Sequence, residues 1–263
     1  EIEGSLGRLR LLHTTLVPGG SIAEPDPDLP PPLAPAEPSI RAAATGAGGA
    51  PVNTELRVEM AFAITGGVRL PAHAEGVFAL DSIIDGAGEA AIAGAPDGPG
   101  PEVRLERVTV RGAARVRAVL LATEVIFDGP VDAERIQVGC LRFSYVPAGS
   151  RTPRRYRCQP DLAERRAIEA AEALGTVTDP ERDAIRARVR RRVRPEYTSE
   201  AYGQPPYLQL AQGAPLEITT GAEDGAEMGA YCHLKQPQRE ANLRTRLEEY
   251  LPFGLEAGLI YVT

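Results

Sequence analysis

One nine-residue pattern constrains this chain more than any other feature. Five segments align without gaps: Leu9–Val17, Leu56–Ile64, Val77–Asp85, Val103–Arg111 and Leu120–Asp128. Positions 1, 3, 6 and 8 are apolar or small in every copy, with Thr14 and Ser82 the two polar exceptions. Alternation of this kind describes a strand with one buried face. The two-residue phase break between positions 3 and 6 means that the strand bends and starts again. A glycine follows each copy within two residues, at Gly19, Gly66, Gly86, Gly112 and Gly129. Short bent strands with glycine-marked corners suit the stacked coils of a parallel β-helix. The alternative is an antiparallel sandwich of short strands, but such a sheet has no reason to repeat one internal bend. The expected fold is therefore mainly β: a right-handed parallel β-helix over residues 4–147, then a mixed helical and irregular region over 148–263. Further strands are expected at Val68–Leu70 and Ala114–Val119, with Arg135–Val146 as a closing coil.

The 27 glycines and 24 prolines disfavour a helix bundle and agree with many short strands. The stretch 21–51 is rich in Pro, Ala and Gly and reads as a loop outside the coils, with polyproline II character around Pro30–Pro32. No apolar run approaches the ~20 residues of a membrane span. Both a cytoplasmic assembly and an extracellular particle fit this composition.

After Pro147 the pattern changes. Helices are expected at Asp161–Gly175, from Asp179 to Arg194, and at Gln238–Leu251, with a last strand at Leu255–Thr263. The runs at Cys140–Ala163 (CLRFSYVPAGSRTPRRYRCQPDLA) and Gly225–Thr263 (GAEMGAYCHLKQPQREANLRTRLEEYLPFGLEAGLIYVT) resemble the C-terminal part of uncharacterised bacterial right-handed parallel β-helix proteins. That family is associated with gene clusters for phage-tail-like contractile injection systems. The resemblance implies a β-helix with a C-terminal appendage, acting as a tail, fibre or baseplate accessory. It brings no catalytic residues with it.

Charge points to protein partners rather than nucleic acid. The formal net charge is −7, and residues 1–150 carry all of it, with 12 basic residues against 19 acidic. Residues 151–194 break the trend with 13 arginines against 7 acidic residues. Arg188, Arg191, Arg192 and their neighbours spread around most of a helix, so they make no narrow edge for reading phosphates. Their expected partner is an acidic protein surface, on the first half of the chain or on a neighbouring subunit.

Position 7 faces outward by phase yet holds Phe62, Ile83 and Ile126. A solvent-facing apolar stripe of this kind calls for a cover, from the C-terminal half or from another chain. The C-terminal helix adds an apolar face of Leu243, Leu247 and Tyr250, and the last strand adds Tyr261. These are the candidate protein-interface residues, and they favour a homo-oligomer or a subunit of a larger particle.

No cofactor or catalytic motif is evident. Cys140, Cys158, Cys232 and His233 could formally supply a zinc site, but no CxxC pair exists. Cys140 and Cys158 could be bridged, which spacing alone does not decide. The alternative function is a carbohydrate-active β-helix enzyme using Asp81, Asp85, Glu106 or Asp128. The chain has no Trp, and Asp85 and Asp128 directly precede turn glycines, so a non-enzymatic structural or adhesion protein is favoured.

Overall fold

The computed structural model describes residues 1–19, 37–46, 48–95 and 98–259. The chain is mostly β: thirteen short strands form one curled sheet, followed by a few C-terminal helices. The strands are β1 (Arg8–Leu12), β2 (Ile40–Arg41), β3 (Arg57–Ala61), β4 (Ile64–Thr65), β5 (Val68–Arg69), β6 (Gly76–Asp85) and β7 (Ile92–Ala93). They continue with β8 (Gly100–Arg111), β9 (Ala114–Thr123), β10 (Ile126–Phe127), β11 (Val131–Ala133), β12 (Cys140–Arg142) and β13 (Arg154–Tyr156).

Every pairing between these strands is parallel. The pairings fall into three rows. One runs β1, β3, β6, β8, β9, β12, β13. A second runs β4, β6, β8, β10. The third runs β2, β5, β7, β9, β11. The inward faces share one aliphatic core that includes Val58, Val77, Leu105, Ile84, Val110, Phe127, Val116 and Leu141.

The register corrects one part of the sequence pattern. Val58 pairs with Leu9 on one side and Val77 on the other. The second repeat therefore begins at Val58, two residues later than the gap-free alignment places it. A two-residue slip preserves inside and outside along a strand, so alternation alone cannot detect it. It does move the bend. Position 5 of the second repeat becomes Phe62, and Ile64 takes the outward position 7 beside Ile83. Phe62 is thus a corner residue and not part of the apolar stripe.

Two other segments differ from expectation. Ile40–Arg41 lies in the Pro/Ala/Gly-rich stretch yet forms β2, with Ile40 and Ala42 buried in the core; Pro30–Pro32 lies outside the described residues. Parallel pairing also runs past Pro147 through β13, where the basic side chains of Arg154 and Tyr156's exposed ring hide the strand pattern.

The helices are α1 (Asp161–Glu172), α2 (Asp179–Arg192), α3 (Leu216–Thr219) and α4 (Gln236–Tyr250). Thr178 and Glu181 form a capping box at the start of α2, with a proline in its first turn. No strand forms over residues 255–259, and 260–263 lie outside the described residues.

Residues 161–234 fold back over the outward stripe. Ile83 packs with Tyr207, Leu208 and Ala230. Ile126 packs with Tyr145, Val189, Val193, Ile218 and Met228. Ile83 and Ile126 are only 2% and 1% exposed, so the chain's own C-terminal half covers them. Gly229 marks the closest approach: a Cβ there would lie 2.6 Å from Thr109 Oγ1 and 2.9 Å from Ile126 Cδ1.

Candidate functional site

The bend at position 5 is the structural centre of the repeat. His13, Phe62, Asp81, Arg107, Glu124, Phe143 and Arg157 all have φ between 45° and 58°. The strand register stacks them in one column along a corner of the sheet. None is glycine, although L-residues reach this region at a cost of about 1–2 kcal/mol each. The turn that follows sends the next N–H away from the strand ladder. Small polar side chains at position 6 repair this. Ala63 N–H donates to Ser82 Oγ, and Val125 N–H donates to Ser144 Oγ, each at 3.1 Å. Cys158 takes the matching position beside β13, with its thiol on the Tyr156 carbonyl at 3.6 Å. This explains why polar residues interrupt an otherwise apolar column.

The corner side chains contact one another and the segment 223–235 laid across them. Arg107 grips Asp81 with two bonds, at 2.6 and 3.1 Å. His233 Nδ1 lies 3.7 Å from Asp81 Oδ1 and 3.0 Å from the Ala230 carbonyl. The His233 ring meets Phe62 edge-on at 5.4 Å, and Phe62 stacks on His13 at 5.0 Å. Glu124 accepts the Glu223 N–H at 3.1 Å and lies 3.7 Å from Cys232 Sγ.

Glu124, Asp224 and Cys232 bring donor atoms within 4.8 Å of one another. Sulfur and carboxylate oxygen are zinc ligands in principle. However, Lys235 pairs with Asp224 and lies 3.9 Å from Cys232 Sγ, so an ammonium already balances this charge. Burial, reinforced by Glu124, pushes the Cys232 thiol up to about 12, which keeps it protonated. Cys140, Cys158 and Cys232 are free thiols, and no described ligand cluster unites them with His233.

A second corner gathers the residues weighed for catalysis. Asp85 accepts from Ala87 N–H at 2.7 Å, from Arg111 at 3.2 Å and from the Tyr207 hydroxyl. Arg111 also binds Glu200 at 2.6 Å. Burial, and then the Asp85 hydrogen bond, raise the Tyr207 phenol far above its ordinary range. Glu106 pairs with Arg104 at 3.0 Å. Asp81, Asp85 and Glu106 are therefore each tied to an arginine. Asp128 keeps an exposed edge, yet desolvation of its carboxyl lifts its pKa. It lies with Arg111, Arg115 and Glu89 along a shallow groove of about 420 Å³.

The arginines of α2 find their partners within the C-terminal half. Arg190 binds Glu164 of α1 at 2.6 and 3.1 Å, Arg182 binds Glu172, and Arg192 binds Glu217 of α3. Among the described residues none of them pairs with a carboxylate of the sheet. Arg188 and Arg191 line a groove with Leu174 and Ile185 and have no side-chain partner among the described residues. Leu243 and Tyr250 on α4 are 46% and 82% exposed, Leu247 is half-buried, and Tyr261 lies outside the described residues.

Sequence reasoning did not anticipate Arg107, Glu124, Tyr207, Asp224 or Lys235. The corner column was in principle visible at position 5, but its residues share no chemical type. No known family model matches this chain, and comparisons with curated proteins and with solved structures return no similar protein. No described helix is long and apolar enough to cross a membrane.

Proposed function

We propose that this chain is a non-enzymatic structural or adhesion subunit, a tail, fibre or baseplate accessory of a phage-tail-like contractile injection particle. Its three rows of parallel strands are read as a short right-handed β-helix, with the C-terminal half as a lateral appendage. The steps between stacked corner residues, from Phe62 through Asp81, Arg107, Glu124 and Phe143 to Arg157, support that reading, since each spans about one solenoid coil. The observation that carries the functional reading is α4, which has no buried residue and turns an apolar seam outward. The carboxylates of Asp81, Asp85 and Glu106, each held by an arginine, support it further, because a general acid or base must be free to exchange a proton with substrate.

The test is light scattering of the full chain, with sedimentation alongside isolated contractile tail particles. Self-association, or co-sedimentation with the particles, is expected. A 28.0 kDa monomer that binds no particle overturns the reading. The groove at Asp128 favours one alternative, a carbohydrate-active enzyme. Release of unsaturated or reducing sugar ends by the wild type, lost in Asp128→Asn, would establish that alternative instead.

A further inference from the structure

The helix α4 presents a face with a defined chemistry. Leu243, Leu247 and Tyr250 recur at i, i+4 and i+7, the d-a-d spacing of a two-helix seam. Arg239 and Arg246 flank it, and with Asn242, Leu243, Thr245 and Glu249 they line a shallow groove along the helix. Neither guanidinium has a side-chain partner among the described residues, whereas Arg244 on the other flank is held by Glu240 at 2.6 Å. A fifteen-residue helix with no fully buried residue is marginal in water, so its own chain supplies little to keep this one folded.

We infer that this face docks an acidic amphipathic helix of another protein. The partner's apolar residues pack on Leu243, Leu247 and Tyr250, and its carboxylates meet Arg239 and Arg246. Two copies of α4 are poorly suited to one another. In parallel pairing Arg239 faces the other copy's Arg244, and in antiparallel pairing Arg239 faces Arg246. This inference rests on the assembly reading and names the partner's chemistry.

The full chain is titrated with a labelled synthetic helix of about three heptads. One peptide carries Leu at a and d with Glu at e and g; its twin carries Lys at e and g. The Glu peptide is expected to bind at least about tenfold more tightly, with the difference shrinking as salt rises. The double variant Arg239→Glu/Arg246→Glu should reverse the preference, and Leu243→Asp should abolish binding of both peptides. These residues are exposed, and a thermal melt matching wild type confirms that each variant folds. Equal binding of the two peptides, or binding unaffected by Leu243→Asp, overturns the inference. So does a dimer seen by light scattering that Leu243→Asp dissociates, since a second copy would then be the occupant. If Leu243→Asp still joins tail particles, docking at α4 fails while the assembly reading stands.

Discussion

Removing one oxygen atom at Ser144 tests the corner architecture directly. Ser144 is fully buried. Its Oγ accepts the Val125 N–H at 3.1 Å and donates to the Arg142 carbonyl at 2.8 Å. In Ser144→Ala the Arg142 carbonyl keeps a partner, because the Glu124 N–H reaches it at 3.1 Å. The Val125 N–H does not. A buried donor left unsatisfied costs about 1–3 kcal/mol, so about 2 kcal/mol is expected. At roughly 2–4 °C per kcal/mol for a domain of this size, the melting temperature should fall by about 4–8 °C. Ser82→Ala should behave alike, since Ser82 Oγ accepts the Ala63 N–H in the same geometry. Ser144→Cys should lose less than half as much, because Cys158 places a thiol on the Tyr156 carbonyl as Ser144 places its hydroxyl on the Arg142 carbonyl. Calorimetry gives the melting temperature, and amide exchange at Val125 reports whether its N–H has lost a partner. If both alanine variants melt within about 1 °C of wild type and Val125 stays protected, the corner hydroxyls do not repair the ladder and the reasoning fails.

Other outcomes follow from burial and charge. Leu105→Asp places an unpaired charge at a core position with 0% exposure, so it should cost more than about 4 kcal/mol and show as a lost cooperative melt. Burial lifts the Glu227 carboxyl to about 7, and its Oε1 has no partner. The folded state therefore holds a proton that the unfolded state has released. Stability is full below the unfolded pKa, drains away as pH rises from about 4.5 to 7, and is lower by about 3 kcal/mol above that. Melts across that range should show the decline in wild type and not in Glu227→Gln. Arg190→Ala strands the mostly buried Glu164 carboxylate and should cost about 1–3 kcal/mol in denaturant titration. Arg188→Ala and Arg191→Ala should stay within about 0.5 kcal/mol in the same assay. Leu255→Ser should leave the melting temperature unchanged, because Leu255 is 60% exposed and 255–259 form no strand.

The sequence by itself determined the parallel, bent-strand character of this protein, because burial on one face leaves a period-two trace and a bend leaves a phase break. Val77, Leu105, Val110 and Phe127 face the core as that trace requires. It also located the three longer helices to within a few residues, though not α3, since Thr178, Asp179 and Pro180 punctuate a helix start through local chemistry. It could not fix the register of the second repeat, where a two-residue slip leaves the same alternation. It also did not reveal β2, β7, β11 or β13: their residues are chosen by the strands they lie against, and none is long enough to show a period.

Only the tertiary structure decided what covers Ile83 and Ile126, because an apolar stripe states a need for burial without naming the group that meets it. The corner column was decided in the same way. His13, Phe62, Asp81 and Arg107 have no common propensity for a left-handed backbone; each is held there by the neighbouring strands of the sheet. Arg107 finds Asp81 across 26 residues, and Cys232 reaches Glu124 across 108. Pairings at such separations depend on which strands lie side by side and on where the C-terminal half returns, and local sequence carries no signal for either.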